Sequence, residues 1–276
     1  MLRLGCADYG FPALAPAAQV ALCRLLGFTA VSTGLFIDTE AEIRGFESNS
    51  AGWAEARLDA LGGLTVDDLF VILRGGDFDG GAINSADAGW RGRARQVFEL
   101  GLGAARTIGA PTITLLPGTP WPSDRRSGWA TAVAELRHRV ARADELGLRV
   151  QIEPHLGSLA STPELALDLL DEVPGLGLVL DASHFVVQSI PMHRITPLAP
   201  HATQVHVRAA RPGEIQVAWH RNETDFAALF AALRAAGYVG AVTIEYTPMQ
   251  QWRCDQMDVL SAVAETRNAI TPLLAA

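Results

Sequence analysis

Residues 149–181 read RVQIEPHLGSLASTPELALDLLDEVPGLGLVLD. An apolar, β-prone run, Arg149 to Glu153, is followed by a loop, then by Thr162-Pro163, a pair suited to the first turn of a helix. The next segment, rich in Leu, Glu and Asp, has helical spacing, and Gly177 to Asp181 is again β-prone. Strand, helix, strand over roughly 30 residues is the signature of a parallel βαβ unit.

Working outward, the same alternation recurs along the whole chain. Further β-prone runs are Leu2 to Cys6, Thr29 to Thr33, Leu69 to Leu73, Thr112 to Leu116, Thr203 to Val207 and Ala241 to Glu245, giving eight in all. Turn and cap signals place helices between them. Pro12 opens the first and Gly27 closes it; Asp38 caps the second; the third ends at Gly109 before Pro111. The fourth runs from about Ser127 to Gly147, and the seventh starts at Thr224 or Asp225 and ends at Gly237. Three prolines between Pro191 and Pro200 predict only a short, irregular sixth helix. Eight βα units in 276 residues fit a single (β/α)8 TIM barrel spanning residues 1–276 as one domain. An open doubly wound sheet is disfavoured because the first turn, Gly5-Cys6-Ala7-Asp8-Tyr9-Gly10, lacks GxGxxG and no GxxxxGK[ST] occurs.

The net charge of −8 argues against nucleic acid as a partner, since phosphate binding normally needs a basic face. Cys6, Cys23 and Cys254 are odd in number, far apart and without a CxxC pair, which suits a reducing, cytoplasmic setting and no thiolate metal site. No apolar run approaches the ~20 residues of a membrane span. The stretch from Ala13 to Leu26 contains Arg24 and reads as a helix rather than a signal core. The Arg-rich pieces Arg91 to Arg95 and Arg137 to Arg142 read as helical surface, and His138, His193, His201 and His220 receive no role.

In a barrel, chemistry sits at the C-terminal ends of the strands. Four consecutive strands end in groups of metal-ligand type: Glu153, Asp181, His206 and Glu245. Each alone is compatible with a helix cap or an ordinary buried residue; the four together point to one shared site. Three carboxylates converging without a cation repel one another and resist desolvation. A divalent metal resolves that conflict, and three oxygen donors with one imidazole suit Mn2+, Mg2+ or Co2+, with Zn2+ also accommodated.

These segments carry a resemblance. Ile152-Glu153-Pro154-His155, Leu180-Asp181-Ala182-Ser183-His184, Val205-His206-Val207-Arg208, and the stretch from Thr224-Asp225-Phe226 through Gly237-Tyr238-Val239-Gly240 to Ile244-Glu245 resemble the xylose-isomerase-like TIM-barrel superfamily, in particular its sugar phosphate isomerase/epimerase group. The resemblance spans nearly the whole chain. It implies one divalent cation on Glu153, Asp181, His206 and Glu245, with His184 facing substrate. Many such relatives have Lys-Asp shortly after the metal histidine, where this chain has Arg208-Ala209. The extra early histidines of apurinic endonucleases are absent, since no His precedes His138. Relatives are often dimers or tetramers, which leaves a homo-oligomer open.

Moving a carbonyl along a carbohydrate, or inverting the centre beside it, means removing a proton from a weakly acidic carbon. The expectation is therefore a metal-dependent isomerase or epimerase of a sugar or keto-cyclitol, working through a metal-stabilised enediolate. Glu153 and Glu245 carry the proton, Asp181 and His206 mainly hold the metal, and His184, His155 and Arg208 contact substrate. Phe36, Trp121 and Tyr246 are candidates for an apolar wall. Two rivals use the same residues: a dehydratase of a dehydroshikimate-like or inosose-like compound, and a catalytically silent binding barrel.

Overall fold

The computed structural model describes residues 2–74 and 81–275. Eight parallel strands close into a barrel in sequence order, β1 (Arg3–Ala7), β2 (Ala30–Ile37), β3 (Thr65–Leu73), β4 (Thr112–Leu115), β5 (Arg149–Ile152), β6 (Gly177–Asp181), β7 (Ala202–Val207) and β8 (Ala241–Ile244), with β8 pairing back to β1. All eight expected strands are present. β2 and β3 are longer than their β-prone cores, because pairing with each other carries β2 on to Ile37 and starts β3 as early as Thr65.

The helices are α1 (Pro16–Leu25), α2 (Glu40–Leu61), α3 (Ala88–Ile108), α4 (Arg125–Asp144), α5 (Pro163–Glu172), α6 (Ser183–Val186), α7 (Met192–Ile195), α8 (Phe226–Ala235) and α9 (Val259–Ala275). Several caps match expectation: Gly109 ends α3 in the left-handed conformation, the Thr162 hydroxyl accepts from Leu165 N, and Asp225 accepts from Ala228 N. Others shift. Pro16 rather than Pro12 starts α1, and Asp124 caps α4 just ahead of the expected start. Thr39 rather than Asp38 caps α2, because Thr39 forms a reciprocal capping box with Glu42 while the Asp38 carboxylate is taken by Arg74. The proline-rich sixth connection breaks into α6, α7 and a 3-10 turn, Thr196–His201.

The strand period of two explains where the site lies. Gln204 and His206 point the same way along β7, and the next same-face position is Arg208; Gln151 is followed by Glu153, and Thr243 by Glu245. The lower members form a hydrogen-bonded layer within the barrel. Gln151 Nε2 donates to Thr114 Oγ1 (2.8 Å) and to Gln204 Oε1 (2.7 Å); Thr114 donates to Asp68 Oδ2 (2.5 Å), and Gln204 Nε2 to Asp68 Oδ1 (3.1 Å). These side chains are fully or almost fully buried, so their polar atoms must satisfy one another. The upper members form the floor of the mouth.

One surface expectation fails. Arg139, within the expected exposed Arg137–Arg142 face, is fully buried, with Nη1 on Glu135 Oε2 at 2.6 Å and its guanidinium over the Phe98 ring. Glu135 also accepts from Arg95, joining α3 to α4. The arginines here are a helix–helix tie rather than a uniformly solvated face.

Candidate metal and substrate site

Glu153, Asp181, His206 and Glu245 all lie at the C-terminal mouth, each at most 4% exposed. His206 Nδ1 is 2.6 Å from Glu153 Oε1 and 3.7 Å from Glu245 Oε2. Among the described residues, two groups of three offer ligand atoms within 4.8 Å of one another: Glu153, His206 and Glu245, and Glu153, Asp181 and His184. Glu153 belongs to both. Three of the four expected ligands thus share one group, and Asp181 falls in the other, beside His184.

Burial and the neighbouring Glu245 charge lift the Glu153 carboxyl to about 7, against the pull of His206. Burial draws the His206 imidazole down, but Glu245 and Glu153 more than offset it and carry it to about 9. Both shifts keep a proton on this pair. Asp181 behaves in the opposite way. Burial pushes its carboxyl up, yet the Arg208 guanidinium foremost holds it at about 2, and the Ser183 N–H donates to Oδ1 at 2.8 Å.

Arg208 is 2% exposed. Its Nε and Nη2 donate to Asp181 Oδ2 at 3.0 and 2.5 Å, and Nη2 also donates to Glu245 Oε2. Burial works against the guanidinium, but Asp181, Glu245 and Glu153 keep it firmly charged. The expected substrate-facing histidines are both buried. His184 Nε2 stands 3.9 Å from Glu153 Oε2 and 3.8 Å from Asp181 Oδ2, and burial takes it well below the usual histidine range. Burial likewise lowers His155 to about 4, with Nδ1 3.3 Å from the Glu153 carbonyl oxygen. Both rings are neutral near pH 7.

Above this floor opens a cavity of about 690 Å3, lined by Glu153, His155, His184, Arg208 and Glu245. Its apolar wall includes Tyr9, Phe36 and Phe70, packed edge-to-face with centroids 5.0 to 6.0 Å apart. Phe36 is where expected, but two other candidates are elsewhere. Tyr246 is core, its hydroxyl accepting from Ala209 N and bonded to Thr266, and Trp121 donates to the Asn84 carbonyl away from the cavity lining.

Tyr9 is a site residue that the strand-end pattern does not single out. Its hydroxyl donates to Glu245 Oε1 at 2.8 Å. It lies in the turn just after β1, where its neighbour Asp8 accepts from the Thr33 hydroxyl at 2.7 Å. Trp252 is another, edge-on to His184 at 6.0 Å and part of the cavity wall.

The donor chemistry fits a divalent cation. Three buried carboxylates and one imidazole supply oxygen and nitrogen donors of the divalent-ion type, their charge met here by the Arg208 guanidinium and the protonated His206.

Comparison with known proteins places this architecture. The family model for the xylose-isomerase-like TIM barrel matches residues 20–263. The chain belongs to that family. Among solved structures it is similar to an L-ribulose 3-epimerase, with a TM-score of 0.78 at 19% identity, covering 100% of this chain and 95% of the other. It is also similar to D-allulose 3-epimerase from Methylomonas sp. in complex with D-allulose, with a TM-score of 0.78 at 17% identity and coverage of 98% and 96%. A xylose isomerase-like TIM barrel protein from Mycobacterium smegmatis in complex with magnesium gives a TM-score of 0.69 at 16% identity, with 99% and 97% covered. No curated protein matches significantly. Within the family fold, no helix among the described residues is long and apolar enough to cross a membrane.

Proposed function

We propose that this chain is a divalent-metal-dependent isomerase or epimerase acting on a sugar or keto-cyclitol by proton transfer at the carbon beside a carbonyl. The observation that carries the reading is the pair Glu153 and Glu245. Both are buried on the cavity floor and flank His206, with Oε1 of Glu153 at 2.6 Å and Oε2 of Glu245 at 3.7 Å from its Nδ1. Two carboxylates so placed can serve as acceptor and donor of a carbon-bound proton. The likeness to structures of L-ribulose and D-allulose 3-epimerases supports this reaction type.

Glu153, His206 and Glu245 would hold the ion, with Asp181 as the expected fourth ligand. The bound ion supplies Lewis acidity toward the substrate's carbonyl and neighbouring hydroxyl oxygens. Glu153 and Glu245 exchange the proton from opposite sides, and Tyr9 steadies Glu245 through Oε1. Neutral His184 and His155 offer hydrogen bonds to substrate hydroxyls, and the Tyr9–Phe36–Phe70 wall excludes water around the reacting carbons. The test is incubation with ketoses and keto-cyclitols in D2O with Mn2+, Mg2+, Co2+ or Zn2+. The reading requires a product isomeric with the substrate and carrying solvent deuterium. A product lighter by one water identifies a dehydratase instead, and binding without deuterium exchange identifies a silent barrel.

A further inference from the structure

The expected ligands are already occupied. Asp181 accepts the Ser183 N–H on Oδ1 and Arg208 on Oδ2, while Glu245 accepts Tyr9 on Oε1 and Arg208 on Oε2. Glu153 uses Oε1 for His206 and keeps Oε2 at 3.9 Å from His184. Arg208 Nη2 thus sits between the two carboxylates that a fourfold site has to share. The neighbouring Ala209 offers no charge, and the guanidinium has its ion pairs with Asp181 and Glu245. An arginine cannot shed its proton to make room, so it yields only by moving.

We propose that Arg208 is a resident cation that competes with the divalent ion for Asp181 and Glu245, so that ion entry drives the guanidinium off Glu245 and the side chain weakens ion affinity rather than supporting it. The proposal rests on the reading that a divalent ion binds here. Its physical basis is simple. Two cations cannot share the same pair of buried oxygens at hydrogen-bond distance without strong mutual repulsion in a poorly screened pocket. The moved guanidinium has somewhere to go: Arg208 already lines the cavity, and its Nη1 has no hydrogen-bond partner among the described residues. Arg208 is in this sense a positioning residue, setting how many carboxylate oxygens an ion can claim.

The experiment is Mn2+ titration of the full chain, read by the loss of the free-ion paramagnetic resonance signal, for wild type, Arg208→Met and Arg208→Gln. Circular dichroism and thermal melting establish which variants fold. The expected result is Mn2+ binding tightened by roughly tenfold or more in a folded variant. Unchanged or weakened binding overturns the proposal while leaving the metal-dependent function standing. Absence of binding by wild type and folded variants alike sinks both. A crystal of wild type grown with Mn2+ decides the matter without any substitution. The ion on Glu153, His206 and Glu245 with the guanidinium withdrawn from Glu245 supports the proposal; an ion bound with the bridge from Arg208 to Asp181 and Glu245 intact refutes it.

Discussion

His206 Nδ1 and Glu153 Oε1 lie 2.6 Å apart, and the protonated imidazole is raised to about 9 while the carboxyl is raised to about 7. A metal taking Nδ1 must first expel that proton, so ion binding is linked to pH. Mn2+ affinity is expected to strengthen from pH 6.5 to pH 8.5, by up to about tenfold per unit for each proton released. Isothermal titration in buffers of different ionisation enthalpy measures the released protons directly. Affinity independent of pH contradicts a role for His206 Nδ1 as ligand.

The same shifts have a consequence for the ion-free protein. A folded-state pKa raised above the unfolded value gives stability that is complete below the unfolded value and lost as pH rises through the folded one. Glu153 loses its share between about 4.5 and 7, and His206 between about 6.5 and 9. The melting-temperature difference between wild type and a His206→Phe variant, followed without divalent ions, should shift against wild type across pH 6.5 to 9. A constant difference over that window contradicts the assigned shift.

Tyr9 donates to Glu245 from the opposite end of the chain, while its ring packs on Phe36 and Phe70. Tyr9→Phe removes the donor and keeps the ring. Turnover is expected to fall by an amount corresponding to about 1.5–3 kcal/mol, the range for hydrogen bonds to charged groups, with the melting temperature little changed. Unaltered proton-exchange rates exclude Tyr9 from the catalytic arrangement.

Arg139 is fully buried, and Glu135 supplies both a carboxylate oxygen and its backbone carbonyl to Nη1. Removing the carboxylate in Glu135→Ala strands a buried cation. Denaturant unfolding should show a loss of about 3–5 kcal/mol, recovered in part by the double variant Glu135→Ala, Arg139→Met. A loss below about 1 kcal/mol means that the pair is effectively solvated.

Gln216 fastens the segment after β8. Its amide donates to the Thr247 and Cys254 carbonyls and accepts from Thr247 N, and that segment carries Trp252 to His184. Gln216→Ala is expected to raise KM more than it lowers kcat, since the wall loosens while Glu153 and Glu245 stay in place. The reverse split contradicts this assignment.

Much of this was legible in the residue order because the informative signals are local. The β-prone runs and the glycine and proline punctuation lead directly to the barrel, and a polar group closing an apolar strand marks Glu153, Asp181, His206 and Glu245. What escaped is non-local. Tyr9 reaches Glu245 across 236 positions, and the Arg208 bridge depends on distances between three strand ends that no spacing encodes. Asp38 and Thr39 compete as caps on equal terms in sequence, and the rival demand of Arg74 for the aspartate decides between them. The exposed reading of Arg137 to Arg142 failed at Arg139 because an i,i+4 pair with Glu135 suits a solvated face equally well, and the burial against Phe98 of α3 is a non-local contact.

The most direct trial of the central claim is the metal content and Mn2+ binding of protein purified without chelator, for wild type beside Glu153→Gln and Glu245→Gln. The account predicts one divalent ion per wild-type chain and binding weakened in both variants. A wild-type protein that takes up none of Mn2+, Mg2+, Co2+ or Zn2+, yet is folded, contradicts it.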